Sequence, residues 1–156
     1  MTIEEGKEAP DFALVDADDK RVELSALRGH PVVVYFYPKD DTPGCTTEAK
    51  DFTCLAGEFK RAKATLVGIS PDSPASHRKF REKYGLDVLL LSDEEHRAAQ
   101  AYGVWGEKSM YGRTYMGVER ATFLIDKSGK VARSWRKVKV PGHAEEVLEA
   151  VRAMKG

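Results

Sequence analysis

The most apolar stretch of the chain is residues 31–37, an unbroken run of β-branched and aromatic side chains behind a proline. A run of this length and composition predicts a strand that is buried on both faces of a sheet. Shorter apolar runs predict two more buried strands, at residues 65–70 and 88–91. Four further runs, separated by polar turns, predict two hairpins: residues 12–15 with 21–24, and residues 121–125 with 131–135.

Helical patterns occupy most of the segments between these strands. They predict helices from residue 43 to about residue 60, and at residues 74–84, 93–102 and 144–154. Residues 103–117 are dominated by glycine and aromatic side chains and predict no regular element. Strands that alternate with helices in this way indicate an α/β fold, in which helices cover both faces of a mixed sheet.

Length and composition predict a single domain that spans residues 1–156. With 156 residues and 42% hydrophobic composition, the chain is long enough to bury a sizeable core. Lys plus Arg and Asp plus Glu both number 25, so the formal net charge is +0, and no long basic run is present. This balance argues against nucleic acid or an anionic membrane as the main partner.

The same features lead us to expect a cytoplasmic protein. Residues 1–30 contain no charged segment followed by an apolar one, and no apolar run approaches the length of a membrane span. The two cysteines, Cys45 and Cys54, are too few for the disulfide framework of a small secreted protein. In a reducing compartment they favour reactive or exchangeable thiols.

Cys45 follows the predicted central strand after a short loop. Thr42 and Pro43 are typical of a helix start, as an N-cap residue and a proline at the first helical position. Cys45 is then the third helical residue, near unpaired backbone N–H groups and the positive end of the helix dipole. These surroundings favour the nucleophilic thiolate. We expect the Thr42 hydroxyl to accept a hydrogen bond from the backbone and to contact the sulfur or a substrate oxygen.

These residues also resemble a known signature. Pro38, Thr42 and Cys45 fit the P-x-x-x-T/S-x-x-C pattern of the peroxiredoxins. The Thr-Pro-Gly-Cys-Thr sequence with Glu48 resembles the bacterioferritin comigratory protein, or peroxiredoxin Q, branch of that family. The resemblance covers nearly the whole chain and includes two further segments, residues 6–12 and 111–126.

The resemblance implies a thioredoxin-like fold, here with an N-terminal β-hairpin, and a thiol peroxidase activity. Such an enzyme reduces hydrogen peroxide and organic hydroperoxides without metal, haem or flavin. Thioredoxin or a similar dithiol donor recycles it, and members of this branch are often monomers. The resemblance also places Arg120 in the same pocket as Cys45.

Peroxide reduction needs a nucleophilic sulfur, a polarised oxygen–oxygen bond and stabilisation of the departing hydroxide or alkoxide. We expect Cys45 to supply the sulfur, and Arg120 to favour its thiolate and hold the peroxide oxygens. The Thr42 hydroxyl and the backbone N–H of Cys45 complete the predicted oxygen-binding site. Glu48 lies three residues after Cys45 on the same helix face, and we expect it to orient Arg120.

Each assignment has a simpler alternative. Cys45 can be a small buried hydrophobe, because free cysteine is among the most buried residue types. Arg120 can be an ordinary charged residue at a strand edge, and Glu48 can serve only to complement the dipole of its helix. The match of the whole signature favours the functional interpretation of Cys45 and Arg120.

The chain departs from the family pattern at the resolving cysteine. In many members of the branch that residue lies five positions after the peroxidatic one, where this chain has Lys50. Cys54 lies nine residues after Cys45, a rise of ~13.5 Å on a straight helix, whereas a disulfide needs Cα atoms within about 4.4–6.8 Å. A Cys45–Cys54 disulfide therefore requires local unwinding of the helix after oxidation, which the family is known to use. Gly57 should ease this unwinding.

The sequence leaves two interpretations of Cys54 open. In the first, Cys54 resolves the sulfenic acid of Cys45 by forming an intrachain disulfide. In the second, Cys54 packs in the core with Phe52, Leu55 and Phe59, and Cys45 works alone with an external thiol as the resolving group.

Other polar groups give weaker signals. The histidines do not indicate a metal site, because they are scattered without ligand spacing: His30, His77, His96 and His143. The acidic residues 93–95 predict a solvated charge cluster at a helix N-terminus. The apolar side chains of residues 103–117 predict core packing beside a loop, or a pocket rim that contacts an organic hydroperoxide or the donor protein.

Two other functions compete with the peroxidase. A non-enzymatic redox sensor would use Cys45 to change shape and would present residues 103–117 to a partner, and catalytic turnover with a reductant separates it from an enzyme. A disulfide reductase of the thioredoxin type is disfavoured, because the chain has no C-x-x-C motif.

Overall fold

The computed structural model describes residues 3–154, which form nine strands and five α-helices. The strands are β1 (Ala13–Asp16), β2 (Arg21–Glu23), β3 (Val32–Phe36), β4 (Thr65–Ser70), β5 (Leu89–Ser92), β6 (Trp105–Met110), β7 (Arg113–Val118), β8 (Ala121–Ile125) and β9 (Val131–Trp135). The helices are α1 (Pro43–Cys54), α2 (Ala56–Arg61), α3 (Pro74–Tyr84), α4 (Arg97–Ala101) and α5 (His143–Ala153), and a short 3-10 helix, Leu24–Leu27, follows β2. Within the described residues, no helix combines the length and the apolar character that crossing a membrane requires.

Seven of the strands form one mixed sheet in the order β2-β1-β5-β4-β3-β8-β9. At its centre, β3, β4 and β5 run parallel, and β8 pairs antiparallel with β3. The β1–β2 hairpin joins the sheet through the antiparallel pairing of β1 with β5. The predicted α/β fold, with helices around a mixed sheet and an N-terminal hairpin, is confirmed.

The central strand β3 shows how the sequence divides the core. All five of its residues are buried, because the sheet is covered on both faces. Val33 and Tyr35 point into a layer formed with α1, α2, α3 and α5, whereas Val34 and Phe36 point into a layer formed with α4 and the N-terminal segment. Successive side chains of a strand point to opposite faces, so burial on both faces explains the unbroken apolar run.

Most predicted elements agree with the structure. The bounds of β4, α3, β8 and β9 are those predicted. β2 differs by one residue at one end, and β1, β3, β5 and α5 differ by one residue at each end. These elements have strong apolar periodicity or clear turn residues at their ends.

The helix predicted at residues 93–102 is wrong at its start. α4 begins at Arg97, and Asp93 is 3% exposed instead of solvated. Its carboxylate accepts hydrogen bonds from the backbone N–H groups of Ala98 (3.1 Å) and Ala99 (2.9 Å). A buried carboxylate needs such partners. Asp93, which lies before α4, therefore accepts hydrogen bonds from backbone N–H groups in the first turn of that helix. The two glutamates that follow it are exposed.

The long helix predicted from residue 43 is two helices, α1 and α2, with a break at Leu55. This residue has φ −98° and ψ 3°. Its N–H lies closer to the carbonyl oxygen of Phe52 (3.1 Å) than to that of Asp51 (3.3 Å), so the last turn tightens toward the 3-10 pattern. Gly57 lies inside α2, beyond the break, and not between the two cysteines.

The patterns missed the hairpin of β6 and β7, which lies outside the main sheet. Its turn is Tyr111-Gly112, with φ 53° and 77°, the positive values that a tight two-residue hairpin turn requires. Tyr111, Tyr115 and Met116 are exposed. A hairpin with little core contact has no reason to alternate apolar and polar side chains, so strand periodicity could not reveal it.

Candidate active site

Two elements that are distant in sequence meet at the end of β3. The chain leaves β3 after Phe36 and passes through residues 37–42, the loop that leads into α1. β8 pairs antiparallel with β3, and Phe36 lies opposite Ala121. Arg120, which directly precedes β8, therefore lies beside this loop and next to Cys45.

Cys45 is the third residue of α1, as predicted, and only 1% of it is exposed. Arg120 donates a hydrogen bond from Nη2 to Cys45 Sγ over 3.4 Å. The first turn of a helix also carries N–H groups without intrahelical acceptors and a partial positive charge. The sulfur therefore lies between a guanidinium group and a helix N-terminus, both of which favour negative charge on it.

Gly44 allows the guanidinium group to lie this close to the helix. A Cβ atom at position 44 would lie 3.0 Å from Arg120 Nη2, closer than ordinary van der Waals contact. A side chain there would press against Arg120 and move it relative to the sulfur of Cys45. The glycine of the Thr-Pro-Gly-Cys sequence therefore has a steric role.

Glu48 holds the other side of the same guanidinium group. Arg120 donates from Nη1 to Glu48 Oε1 over 2.6 Å, and Glu48 is 1% exposed. Glu48 Oε2 is buried without a hydrogen-bond partner among the described residues. Burial raises the pKa of Glu48 to about 7, although Arg120 acts in the opposite direction. Partial burial lowers the pKa of Arg120, but Glu48 and Cys45 outweigh it and hold that pKa above its usual range.

Thr42 is the N-cap residue of α1 by position but not by hydrogen bonding. Among the described residues its hydroxyl finds no capping N–H group and instead donates to the carbonyl oxygen of Lys39 over 2.8 Å. The expectation that this hydroxyl accepts from the backbone is therefore wrong.

Pro38 is half-buried at the start of the loop, directly after the sheet bond from Tyr37 N–H to Ile69 O (3.1 Å). Because proline has no N–H to donate, it cannot extend this ladder.

Tyr35 is a neighbour of the site that the strand pattern assigned only to the core. Its ring stacks on Phe52 of α1 with 4.8 Å between centroids, and its buried hydroxyl has no hydrogen-bond partner within residues 3–154. Burial raises the pKa of Tyr35 well above its usual value, and the nearby Glu48 and Cys45 act in the same direction. The ring needs Gly68 beneath it, where a Cβ atom would lie 2.8 Å away. Strand periodicity treats tyrosine as an apolar residue and so gave no signal for this hydroxyl.

Cys54 is exposed and is the last residue of α1. The core packing of Cys54 in the second interpretation is therefore wrong, because Phe52 and Phe59 are fully buried while Cys54 faces solvent. The other part of that interpretation, in which Cys45 works alone with an external thiol, stays a prediction. Cys45 lies nine residues away along the helix, about 13.5 Å along its axis. The structure does not bring the two sulfurs together.

Comparison with known proteins agrees with this geometry. The model of the AhpC/TSA family matches residues 6–134. The chain belongs to this family. It is a peroxiredoxin of the bacterioferritin comigratory protein branch, a thiol-dependent peroxidase with a thioredoxin-like fold.

The relatives of this peroxiredoxin match it over nearly their full lengths. Peroxiredoxin Bcp of Bacillus subtilis (strain 168) is 50% identical over 154 residues, which cover 99% of this chain and 98% of that protein. The structure of Xanthomonas campestris peroxiredoxin Q superposes with a TM-score of 0.90 at 45% identity, covering 96% of this chain and 97% of the other. A second structure is of the Xanthomonas campestris bacterioferritin comigratory protein and concerns the alkyl peroxide reduction activity of that protein. It superposes with a TM-score of 0.90 at 44% identity, covering 96% of this chain and 98% of the other.

The predicted site residues of the peroxiredoxin fall into two groups. Cys45, Glu48 and Arg120 are in direct contact, and Thr42 and Pro38 lie in the loop beside them. Cys54 lies apart from this group at the other end of α1. In the hairpin region Trp105 stacks on His96 with 3.8 Å between centroids, and a pocket-rim role for this region stays a prediction.

Proposed function

We propose that Cys45 is the peroxidatic residue of this peroxiredoxin and that it reduces hydrogen peroxide and organic hydroperoxides. The observation that carries the proposal is the 3.4 Å contact from Arg120 Nη2 to Cys45 Sγ at the N-terminus of α1. A planar guanidinium group presents several donors in a fixed arrangement. Because buried Glu48 already holds Arg120, its orientation does not depend on the substrate.

The proposed site binds peroxide through Arg120, Thr42 and the backbone N–H of Cys45. A hydroxyl group has one donor and two acceptor lone pairs. The Thr42 donor is used by the carbonyl of Lys39, so Thr42 offers its lone pairs and accepts from the O–H group of the peroxide. Arg120 and the helix N–H donate to the peroxide oxygens.

In the reaction, the Cys45 thiolate attacks the nearer peroxide oxygen. A sulfur–oxygen bond forms as the oxygen–oxygen bond breaks, so the sulfur loses two electrons and the peroxide gains them. The departing hydroxide or alkoxide takes up a proton and leaves as water or an alcohol, and a sulfenic acid stays on Cys45. The charge of Arg120 stabilises the negative charge that develops on the departing oxygen.

The range of peroxides in this proposal includes organic hydroperoxides. Support comes from the alkyl peroxide reduction activity of the Xanthomonas campestris bacterioferritin comigratory protein. The apolar hairpin residues near the start of β8 are candidates for contact with the alkyl part of such a substrate. Hydrogen peroxide needs only the polar groups of the site.

We propose that Cys54 resolves the sulfenic acid after α1 opens. Because Cys45 is buried, any thiol reaches it only when the first turns of α1 unwind. The sequence of α1 contains a glycine and three threonines, and it has no acidic residue in its first turn and no basic residue in its last. Such residues have low helix propensity, and the helix dipole lacks compensating charges at either end, so α1 should open more readily than a helix with favourable ends.

Once α1 opens, Cys54 lies on the same short segment as Cys45, at a high effective concentration. Its thiolate attacks the sulfenic sulfur, a disulfide forms, and the hydroxide that departs takes up a proton to become water. Thioredoxin or a similar dithiol donor then attacks this disulfide, forms a mixed disulfide and supplies the two electrons that restore both thiols.

The experiment that tests this function is peroxide consumption coupled to thioredoxin, thioredoxin reductase and NADPH. We expect sustained turnover by the parent protein and none by C45S. The matched variant C54S should still undergo one oxidation at Cys45. A parent protein that is oxidised once and is not recycled by the dithiol donor would contradict the enzyme and support the redox sensor.

We also propose that residues 1–156 act as a single domain and a monomer in the cytoplasm, with neither nucleic acid nor a membrane as partner. One sheet receives strands from β1 near the start of the chain to β9 near its end, which supports a single domain. Two thiols that cycle between reduced and oxidised forms suit a compartment that supplies reducing donors. Sedimentation of the reduced protein would measure the oligomeric state directly.

A further inference from the structure

A buried polar cluster lies beside the loop of residues 37–42. It consists of Tyr37 at the start of the loop, Asp40 within it and His77 on α3. Their exposed fractions are 1%, 7% and 0%. Buried polar side chains carry a large free-energy cost unless they are paired, so such a cluster needs a structural or functional reason.

The side chain of Asp40 accepts hydrogen bonds at both of its oxygens. Tyr37 donates its hydroxyl to Oδ1 over 2.6 Å, and Ser76 donates to Oδ2 over 2.9 Å. His77 Nδ1 lies 2.7 Å from the same Oδ2. The backbone N–H of Asp40 donates to Asp72 Oδ2 over 2.8 Å. Both the side chain and the main chain of the loop are therefore fixed at this residue.

Both ring nitrogens of His77 have a partner within hydrogen-bond distance. Nε2 lies 2.9 Å from the carbonyl oxygen of Leu91, which can only accept, so Nε2 carries a hydrogen. Nδ1 lies 2.7 Å from Oδ2 of Asp40, within hydrogen-bond distance of this carboxyl group. His77 therefore connects β5 to the loop through two hydrogen bonds with no solvent around them.

A second connection between the same loop and the same helix is exposed. Asp41, the next residue, accepts from Lys83 Nζ (2.8 Å) and the Tyr84 hydroxyl (2.5 Å). The side chains of Lys83 and Asp41 are 59% and 42% exposed. Exposed ion pairs are screened by water and salt and contribute little. The Asp40–His77 pair is the stiffer of the two connections.

We propose that His77 is a positioning residue for Cys45 that acts through Asp40. The turn from Lys39 to Thr42 is closed by the Thr42 hydroxyl, so a shift at Asp40 moves Thr42 and the start of α1 with it. His77 holds this turn so that Thr42 and the sulfur face the guanidinium group of Arg120. The inference rests on the proposed role of Cys45 as the peroxidatic residue.

The test compares two substitutions of the same ring. H77N places an amide donor where Nδ1 lies and keeps a bond to Asp40, whereas H77Q reaches toward Leu91 and loses the bond to Asp40. The measurement is the second-order rate constant for oxidation of Cys45 by hydrogen peroxide. Alkylation of Cys45 by iodoacetamide, followed on its own peptide, is measured in parallel because it does not use the peroxide site.

We expect H77Q to slow oxidation by up to about 100-fold, the effect of a misplaced reacting group, without slowing alkylation. H77N should recover most of this loss. Equal losses in the two variants, or no loss in H77Q, would overturn the proposal, because a space-filling role does not distinguish the two amides. If Cys45 of the parent protein is not oxidised at all, the proposed function itself fails, which is a separate result.

A second pair of variants avoids the ring, should its replacement prevent folding. S76A removes one donor from Asp40, and S73A removes the hydroxyl that caps α3 by accepting from the Ser76 N–H at 3.1 Å. We expect S76A to slow peroxide oxidation of Cys45 and S73A to leave it unchanged, although S73A should destabilise α3 at least as much. Rates that follow the thermal stability of the two variants would overturn the proposal.

Discussion

The two ends of α1 place its two cysteines in opposite surroundings. At the N-terminal end Cys45 is buried and contacts Arg120, which is itself held by Glu48. At the C-terminal end Cys54 is exposed, and the helix stops at a break before α2. Attack on peroxide needs a fixed sulfur, whereas resolution needs the helix to open. Substitutions that disturb the N-terminal end should therefore slow the attack of Cys45 on peroxide. Substitutions that change the stability of α1 should alter the rate at which Cys54 resolves the sulfenic acid.

The largest effect should come from substitution of Arg120, which contacts Cys45 at the N-terminal end of α1. R120A removes the group that contacts Cys45 and stabilises the departing oxygen, and we expect the second-order rate constant with hydrogen peroxide to fall about 10²–10³-fold. R21A is the control, because Arg21 pairs with Glu23 on β2, at the edge of the sheet away from β3 and β8. Stopped-flow oxidation of the reduced proteins measures both. An R120A rate equal to that of R21A would remove Arg120 from the mechanism.

The next largest effect should come from C54S, which separates oxidation of Cys45 from resolution by Cys54. C54S should leave the first oxidation of Cys45 unchanged, because Cys54 is far from the peroxide site. Turnover with thioredoxin should fall about 100-fold, since an intramolecular thiol at millimolar effective concentration is replaced by a dilute external one. Single-turnover and steady-state rates, measured on the same preparation, test both statements. Parent-like turnover by C54S would show that the resolving thiol comes from outside the chain.

The buried carboxyl group of Glu48, near Cys45 on α1, should make the free energy of unfolding depend on pH. The pKa of Glu48 is raised from 4.5 to about 7 in the folded protein, so the folded state binds the proton more tightly than the unfolded state. Its contribution to stability is complete below pH 4.5 and is lost as the pH rises to about 7, a total of about 3 kcal/mol. The free energy of unfolding of the parent relative to E48Q should fall by this amount between pH 4.5 and pH 8.

Urea unfolding under reducing conditions measures this difference. E82Q provides the control, because Glu82 is an exposed glutamate on α3. The difference between the parent and E82Q should stay constant across the same range. A parent–E48Q difference that is also constant would mean that Glu48 is ionised in the folded protein throughout.

The smallest effect concerns the opening of α1. Lys50 is exposed in the middle of the helix and lies 5.7 Å from the centroid of the Tyr84 ring, a contact that K50A and K50G both lose. Glycine is about 1 kcal/mol less favourable than alanine inside a helix, so K50G should form the disulfide about fivefold faster than K50A. The rate of peroxide attack should be the same in the two variants. Disulfide formation that is equally fast in both would mean that opening of α1 does not limit resolution.

Local sequence patterns were enough to predict the strands that build the main sheet. The apolar runs of β3 and β4, and the turn between β8 and β9, have short-range causes, and so does the helix start at Thr42 and Pro43. The break at Leu55 was not predictable, because nothing in the residues around it marks a helix end. The hairpin of β6 and β7 was missed because its exposed strands lack periodicity.

The site was only partly predictable for a different reason. Cys45 and Glu48 are close in sequence, so their shared helix face follows from helix geometry. Arg120 reaches them only through the pairing of Ala121 with Phe36, and no local pattern carries that register; the family resemblance supplied it. The pair of Asp40 with His77 spans 37 residues and is visible only in the folded structure.

The most direct test of the relation between the two ends of α1 is the intact mass of the reduced protein after one equivalent of hydrogen peroxide, with an alkylating quench. This measurement shows the state of both sulfurs together. We expect loss of two hydrogens with neither Cys45 nor Cys54 alkylated, which means an intrachain disulfide. Gain of one oxygen on Cys45, with Cys54 still alkylated, would contradict it.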